Sequence, residues 1–178
     1  LNGSAKRVVV FGMGYVGLTL AVSLANIGHQ VTGIDVNQEI IERLNKGISH
    51  VHEPGLVDML AINLKRKQID FCNDLGDSTC QVYIVAVGTS LNKSGQPDLT
   101  ALNQVFSSIA PRLKMGNQIM LRSTVPVGTT REVVITYLEE QTNLIAGEDF
   151  FVSFAPERTI EGKAMFELKI LPQVVGGY

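Results

Sequence analysis

Gly12, Gly14 and Gly17, in the run Gly12-Met13-Gly14-Tyr15-Val16-Gly17, together with the carboxylate of Asp35, have the spacing in this chain that most directly specifies chemistry. The apolar run Val8 to Phe11 leads into the glycines, and Asp35 closes a second apolar run that begins at Val31. Glycine at the first position permits a tight turn out of a strand, at the second lets backbone approach a pyrophosphate, and at the third lets a helix lie close on a sheet. Free N–H groups at the helix start then hold phosphate negative charge. Asp35, 18 residues beyond Gly17, is placed to accept hydrogen bonds from both hydroxyls of an adenosine ribose. A carboxylate there repels a 2′-phosphate, so the predicted cofactor is NAD rather than NADP. A glycine-rich turn that holds no ligand is the competing reading.

Further hydroxyls and carboxylates fall just after other apolar runs: Thr89 and Ser90, Ser123 and Thr124, Glu157 and Glu161. Singly, each has an ordinary structural reading. Thr89 and Ser90 suit a turn, Ser123 and Thr124 suit a helix cap, and Glu157 suits a solvated position near a helix start. Glu157 and Glu161, four apart, are spaced to share one side of a helical turn, within reach of one substrate or water. His50 and His52 lie in an irregular loop without metal-spaced partners and are expected to be solvated or hydrogen-bonded, with His29 at the surface. Cys72 and Cys80 form neither a disulfide framework nor a zinc site, and are expected to pack as small apolar residues. No metal site is expected.

Alternating elements must position these groups. The pattern predicts strands over 7–11, 31–35, 69–72, 82–87, 118–121 and 150–154. Helices are predicted over 15–27, 38–46, 56–67, 99–112 and 128–141, with Gly28 and Gly47 as terminators and Asn37 as a cap. Val82 to Val87 is an unbroken apolar run, as expected of a strand covered on both faces. The fold class is α/β, a doubly wound, mostly parallel Rossmann-type sheet with helices on both faces. Ligands of such sheets bind beyond the carboxyl ends of the strands, where strand order reverses.

The 178 residues carry 45% hydrophobic residues and a net charge of −2, which suits one cored domain and argues against a nucleic-acid or membrane partner. No apolar run approaches the ~20 residues that span a bilayer, and the expected location is cytoplasmic. Residues 1–6 are expected to be an appended or disordered lead, and 7–178 the domain.

Beyond the glycine turn, further blocks occur in order. These are Glu53-Pro54-Gly55-Leu56, Val87-Gly88-Thr89 with Pro97-Asp98-Leu99, and Ser123-Thr124-Val125-Pro126-Val127-Gly128-Thr129. Pro156-Glu157-Arg158 with Glu161-Gly162-Lys163-Ala164, then Leu171-Pro172-Gln173-Val174-Val175-Gly176-Gly177, follow. With these blocks the chain resembles the UDP-glucose/GDP-mannose (nucleotide-sugar) 6-dehydrogenase family over essentially its whole length. Ser90 departs from the pattern, which commonly has Pro there, and should alter loop stiffness more than chemistry. The resemblance implies two successive NAD-dependent oxidations at C6 of a UDP-linked sugar, alcohol to carboxylate, for uronic-acid-containing polysaccharide precursors. It implies Tyr15 and Val16 on the phosphate turn and Thr89 and Thr124 beside the nicotinamide half of NAD. Thr124 is similar to a threonine that holds a water or passes a proton. Glu157 matches a carboxylate linked to water activation during thioester hydrolysis, and Glu161 a second carboxylate near the sugar. Pro156-Glu157-Arg158 resembles the UDP-N-acetylhexosamine branch, including UDP-N-acetylmannosamine, whereas Glu161-Gly162 resembles the UDP-glucose branch; the reading leans to the former.

The family's nucleophilic cysteine and its oxyanion-stabilising lysine lie in segments absent from these residues, and a covalent mechanism cannot run without its nucleophile. The chain is therefore expected to be the NAD-binding part of a longer, homodimeric enzyme, without its central helix and UDP-sugar domain, and inactive by itself. The competing readings are the NAD-binding domain of a β-hydroxyacid-type dehydrogenase and a non-catalytic nucleotide-sensing module.

Overall fold

A computed structural model describes residues 4–76 and 79–178. The six runs expected to be extended all form strands, and helices on both sides of the sheet remove most of their apolar side chains from water. The strands are β1 (Arg7–Phe11), β2 (Gln30–Ile34), β3 (Ile69–Cys72), β4 (Val82–Val85), β5 (Gln118–Leu121), β6 (Phe151–Phe154) and the short β7 (Gly176–Gly177). They form a single sheet in the order β3-β2-β1-β4-β5-β6-β7. All neighbours are parallel except β6 and β7, where Ser153 faces Gly177. The chain passes from β1 outward through β2 and β3, then returns to pair β4 with the other side of β1. This reversal opens a crevice at the carboxyl ends of β1 and β4.

Helices α1 (Tyr15–Asn26), α2 (Gln38–Asn45) and α3 (Leu56–Lys65) precede β3 in the chain; α4 (Thr100–Ile109), α5 (Thr136–Thr142) and α6 (Ala164–Ile170) follow β4. The strand side chains divide by period two into two cores. Val8, Val10 and Ile84 pack with Leu18, Val22, Leu44 and Leu60 on one face. Val9, Phe11, Tyr83 and Ile119 pack with Leu102, Phe106 and Leu138 on the other. Asn37 caps α2 as expected, its Oδ1 accepting from Glu39 N and Ile40 N at 3.0 and 3.3 Å.

Several boundaries differ from expectation. β4 stops at Val85; Ala86 N still donates to the Phe11 carbonyl of β1 at 2.8 Å, and Ala86 and Val87 then pass against Gly12 of the glycine turn. The helix expected over 99–112 is α4 closed by a 3-10 turn at Ala110–Arg112, where Pro111 lacks an N–H to continue the α ladder. The helix expected over 128–141 is a π-helical segment, Thr129–Ile135, continued by α5. The sequence reading did not anticipate α6 or β7. No described helix is long and apolar enough to cross a membrane.

Candidate functional site

The glycine turn is shaped by contacts at two of its three glycines. Gly12 has φ +88°, and a Cβ there would stand 2.8 Å from the Ala86 carbonyl oxygen. At Gly17 a Cβ would stand 1.8 Å from the Gly12 carbonyl oxygen, so α1 can begin against the turn only if this residue has no side chain. Gly14 faces open space. Met13, between them, is fully buried, seated over Gly33 of β2, where a Cβ would meet its sulfur at 2.6 Å. The loop is thus plugged into the core by its apolar residue while Gly14 stays outside.

The start of α1 is chemically suited to an anion. Gly14 gives it no side-chain cap and its first turn holds no acidic residue, so the orphan N–H groups are not neutralised from within the helix. Asp35 stands across from it at the end of β2. Its Oδ2 accepts from Met13 N at 2.7 Å and its Oδ1 from Asn37 N at 2.9 Å. Each oxygen has a second lone pair, which suits a diol. Gly12, Gly14, Asp35, Val36, Ala86 and Gly88 share a cleft of about 440 Å³, floored by Leu75 and Val105. That volume lies within the range of small-molecule sites. A concavity of about 250 Å³ lies at the opposite ends of the strands, around Arg7, Gln30 and Asp70, without a glycine turn or helix start. The residues at the first cleft fit a dinucleotide: an uncapped helix start, an open glycine and a partly free carboxylate.

The other expected cofactor residues lie around this cleft rather than in its lining. Val16 is half-buried and Gly17 buried. The Tyr15 side chain turns away: its hydroxyl donates to Glu53 Oε1, with the Ile160 carbonyl 3.1 Å distant. The Thr89 hydroxyl donates to the Thr124 carbonyl, which joins the loops after β4 and β5, and Thr124 itself is exposed. Ser123 is buried and donates to the Val87 carbonyl at 2.6 Å; it fastens the two strand ends and does not cap a helix.

Glu157 and Glu161 do not share a helical turn. Residues 155–160 are irregular and α6 begins only at Ala164, after a turn through Gly162 at φ +86°. Nor is Glu157 solvated near a helix start. Its Oε2 is ion-paired with Arg122, and the two side chains are 9% and 4% exposed. Its Oε1 accepts from Arg158 N at 2.7 Å and Thr159 N at 2.8 Å. Burial alone would raise this carboxyl. The Thr159 amide, the Arg122 guanidinium and the Arg158 amide outweigh burial and hold it below the usual carboxylate range. Glu161 is exposed.

Sequence reasoning missed Arg122 and Glu53. Arg122 is buried at the end of β5 and also donates to Gln173 Oε1 at 3.0 Å. Its partners lie 35 and 51 positions away, and the only local signal is a cation ending an apolar strand. Glu53 is buried too, and here the Glu-Pro-Gly-Leu block marked the position without its role. His50 also differs from expectation: both ring nitrogens are buried with no partner among the described residues. Cys80 is buried, and burial pushes its thiol up to about 11. No group of three or more His, Cys, Asp or Glu among the described residues is placed to hold a metal ion.

Residues 6–178 match the model of the UDP-glucose/GDP-mannose dehydrogenase family, NAD binding domain. A UDP-N-acetyl-D-mannosamine dehydrogenase of Pyrococcus horikoshii is 36% identical over 175 residues, covering 96% of this chain and 41% of its own length. A UDP-N-acetyl-D-glucosamine 6-dehydrogenase of Pseudomonas aeruginosa is 38% identical, covering 96% of this chain and 40% of its own. The solved structure of a UDP-D-ManNAc dehydrogenase from Pyrococcus horikoshii superposes with a TM-score of 0.91 at 34% identity, over 96% of this chain and 41% of that one. The chain therefore spans about two fifths of the length of these relatives.

Proposed function

Because the chain belongs to the UDP-glucose/GDP-mannose dehydrogenase family, as its NAD-binding domain, we propose that it is the cofactor half of an enzyme that oxidises C6 of a UDP-N-acetylhexosamine, of the UDP-N-acetylmannosamine type, from alcohol to carboxylate. The observation that carries the cofactor placement is the cleft shared by Gly12, Gly14 and Asp35 at the β1–β4 reversal. In this reading the α1 N-terminus takes the pyrophosphate through the backbone of Tyr15, Val16 and Gly17, and Asp35 takes the adenosine ribose. When bound, NAD supplies a hydride acceptor for each oxidation. Thr89 and Thr124 border its nicotinamide half, and the exposed Thr124 hydroxyl is available to hold a water or pass a proton.

The two carboxylates then divide by environment. Glu157, held ionised by a guanidinium and two amides, orders its surroundings and is a weak proton acceptor; Glu161 is exposed, with its carboxylate open to substrate and water. A thioester route requires a reactive thiolate. Cys80 is buried with a raised thiol, and the Cys72 thiol is also raised by burial and then by Asp70 and Asp74. We therefore place the nucleophile outside these 178 residues, in a cytoplasmic homodimer making precursors of uronic-acid-containing polysaccharides.

Calorimetric titration tests the cofactor reading. NAD should bind at least about tenfold more tightly than NADP, a difference of about 1.4 kcal/mol. Equal affinity, or failure to bind either, refutes the placement. Mixing the chain with NAD and UDP-N-acetylmannosamine should yield no NADH, and steady turnover would refute the location of the nucleophile.

A further inference from the structure

Glu53 lies between α2 and α3, outside the cleft lining, and is a buried carboxylate, 7% exposed. Three donors from distant parts of the chain satisfy it. Oε1 accepts from the Tyr15 hydroxyl and from Gly162 N, and Oε2 accepts from Ala164 N at 3.1 Å. A buried carboxylate persists only where donors compensate its lost hydration, so these contacts form or fail together. Burial, followed by the Glu53 hydrogen bond and charge, pushes the Tyr15 phenol well above its ordinary range, and it remains a donor at working pH.

The donors have a common geometry. Tyr15 is the first residue of α1, so the residue whose backbone borders the proposed phosphate site also carries the hydroxyl bound to Glu53. Gly162 and Ala164 flank the turn into α6, and Glu161 immediately precedes Gly162. On the other side of Glu161, the Ile160 carbonyl lies 3.1 Å from the Tyr15 hydroxyl and accepts from Lys163 N at 3.0 Å. Ile160 N donates to Glu167 Oε2 at 2.8 Å. The exposed Glu161 therefore sits next to backbone tied to Glu53 at Gly162 and Ala164, and its other neighbour, Ile160, is tied to Glu167 and lies against the Tyr15 hydroxyl.

We propose that Glu53 is a positioning residue that couples occupation of the α1 N-terminus to the placement of the Ile160–Ala164 segment and its carboxylate, Glu161. The inference rests on the reading that the α1 N-terminus takes the dinucleotide pyrophosphate. A ligand there restrains Tyr15, Tyr15 restrains Glu53, and Glu53 restrains the amides of Gly162 and Ala164. This is coupling through one contiguous hydrogen-bonded cluster.

Amide hydrogen exchange at Gly162 and Ala164, measured with and without saturating NAD, tests it. In the native chain NAD should slow exchange at both amides by about tenfold. Glu53→Gln replaces the Oε2 acceptor by an amide NH2 donor facing Ala164 N, and should leave NAD affinity within about threefold by calorimetry while cutting the NAD-dependent slowing to under about twofold. Tyr15→Phe, compared at its own saturating NAD concentration, should abolish the same response while leaving the Glu53 bonds to Gly162 and Ala164. If Glu53 only stabilises the fold, Glu53→Gln will speed exchange equally in the free and bound states and preserve the tenfold ratio, which overturns the proposal. A native chain that binds NAD with no change at these amides also overturns it, and leaves the cofactor reading standing. A native chain that binds no NAD refutes the cofactor reading instead. Should Glu53→Gln fail to fold, a full NAD response in Tyr15→Phe is still sufficient to overturn the coupling.

Discussion

Replacing Arg122 by Met removes a charge from inside the protein and leaves its partner behind. Arg122 and Glu157 have side chains 4% and 9% exposed, so water cannot readily replace the lost guanidinium. Breaking such a pair costs about 3–5 kcal/mol. Glu157 keeps its bonds from Arg158 N and Thr159 N, which places the expected loss near the lower end, about 3 kcal/mol. For a domain of this size that lowers Tm by about 6–12 °C. The loss should depend on pH in a defined direction. In the native protein the Glu157 carboxyl lies below its unfolded value, so its contribution is present above the unfolded pKa and is lost as pH falls through the folded one. Without the guanidinium, burial is opposed only by two amides, and the carboxyl moves back up. Protonation then relieves the variant at a pH where the native protein still benefits from the ionised pair. Urea unfolding at about pH 7 should show the full difference, and the gap should narrow as the pH falls through the carboxylate range. A gap under about 1 kcal/mol at neutral pH, or one that does not narrow in acid, refutes the account.

Asp35→Ala should raise the Kd for NAD by about tenfold or more and bring NAD and NADP affinities together, because charged hydrogen bonds contribute about 1.5–3 kcal/mol each; paired calorimetric titrations check both effects. Gly17→Ala would drive a methyl into the Gly12 carbonyl, 1.8 Å away, and should destabilise the chain by at least about 1–3 kcal/mol and abolish NAD binding, read by thermal unfolding and titration. Cys80, with its thiol pushed up to about 11, should react with an alkylating agent much more slowly in the folded chain than in urea at neutral pH. Equal rates would contradict its burial.

The sheet was legible in the sequence because a parallel sheet covered on both faces turns its strands into apolar runs. Val82 to Val85 shows this directly. Local chemistry was legible as well: Asn37 carries its capping signal within three residues. Features made by distant partners were not. α6 buries only Ala164 and Met165, exposes Phe166 and Ile170, and has its first N–H satisfied by a carboxylate 111 residues earlier. The sequence offers no local stripe or cap from which to read it. Arg122 and Glu157 were hidden from each other for the same reason, and the four-residue spacing of Glu157 and Glu161 suggested a helix where Gly162 makes a turn. Tyr15 was expected at the phosphate turn, and sequence position alone could not show that its side chain reaches Glu53.

The burial of Met13 has a kinetic consequence. A glycine-rich loop would ordinarily be mobile and would have to give up that freedom when a ligand arrives. Here the thioether is locked over Gly33, so the loop loses its freedom during folding and arrives at the encounter already shaped. Association at this turn should then proceed in a single bimolecular phase, with a rate that rises linearly with ligand concentration and no slow loop-closing step behind it.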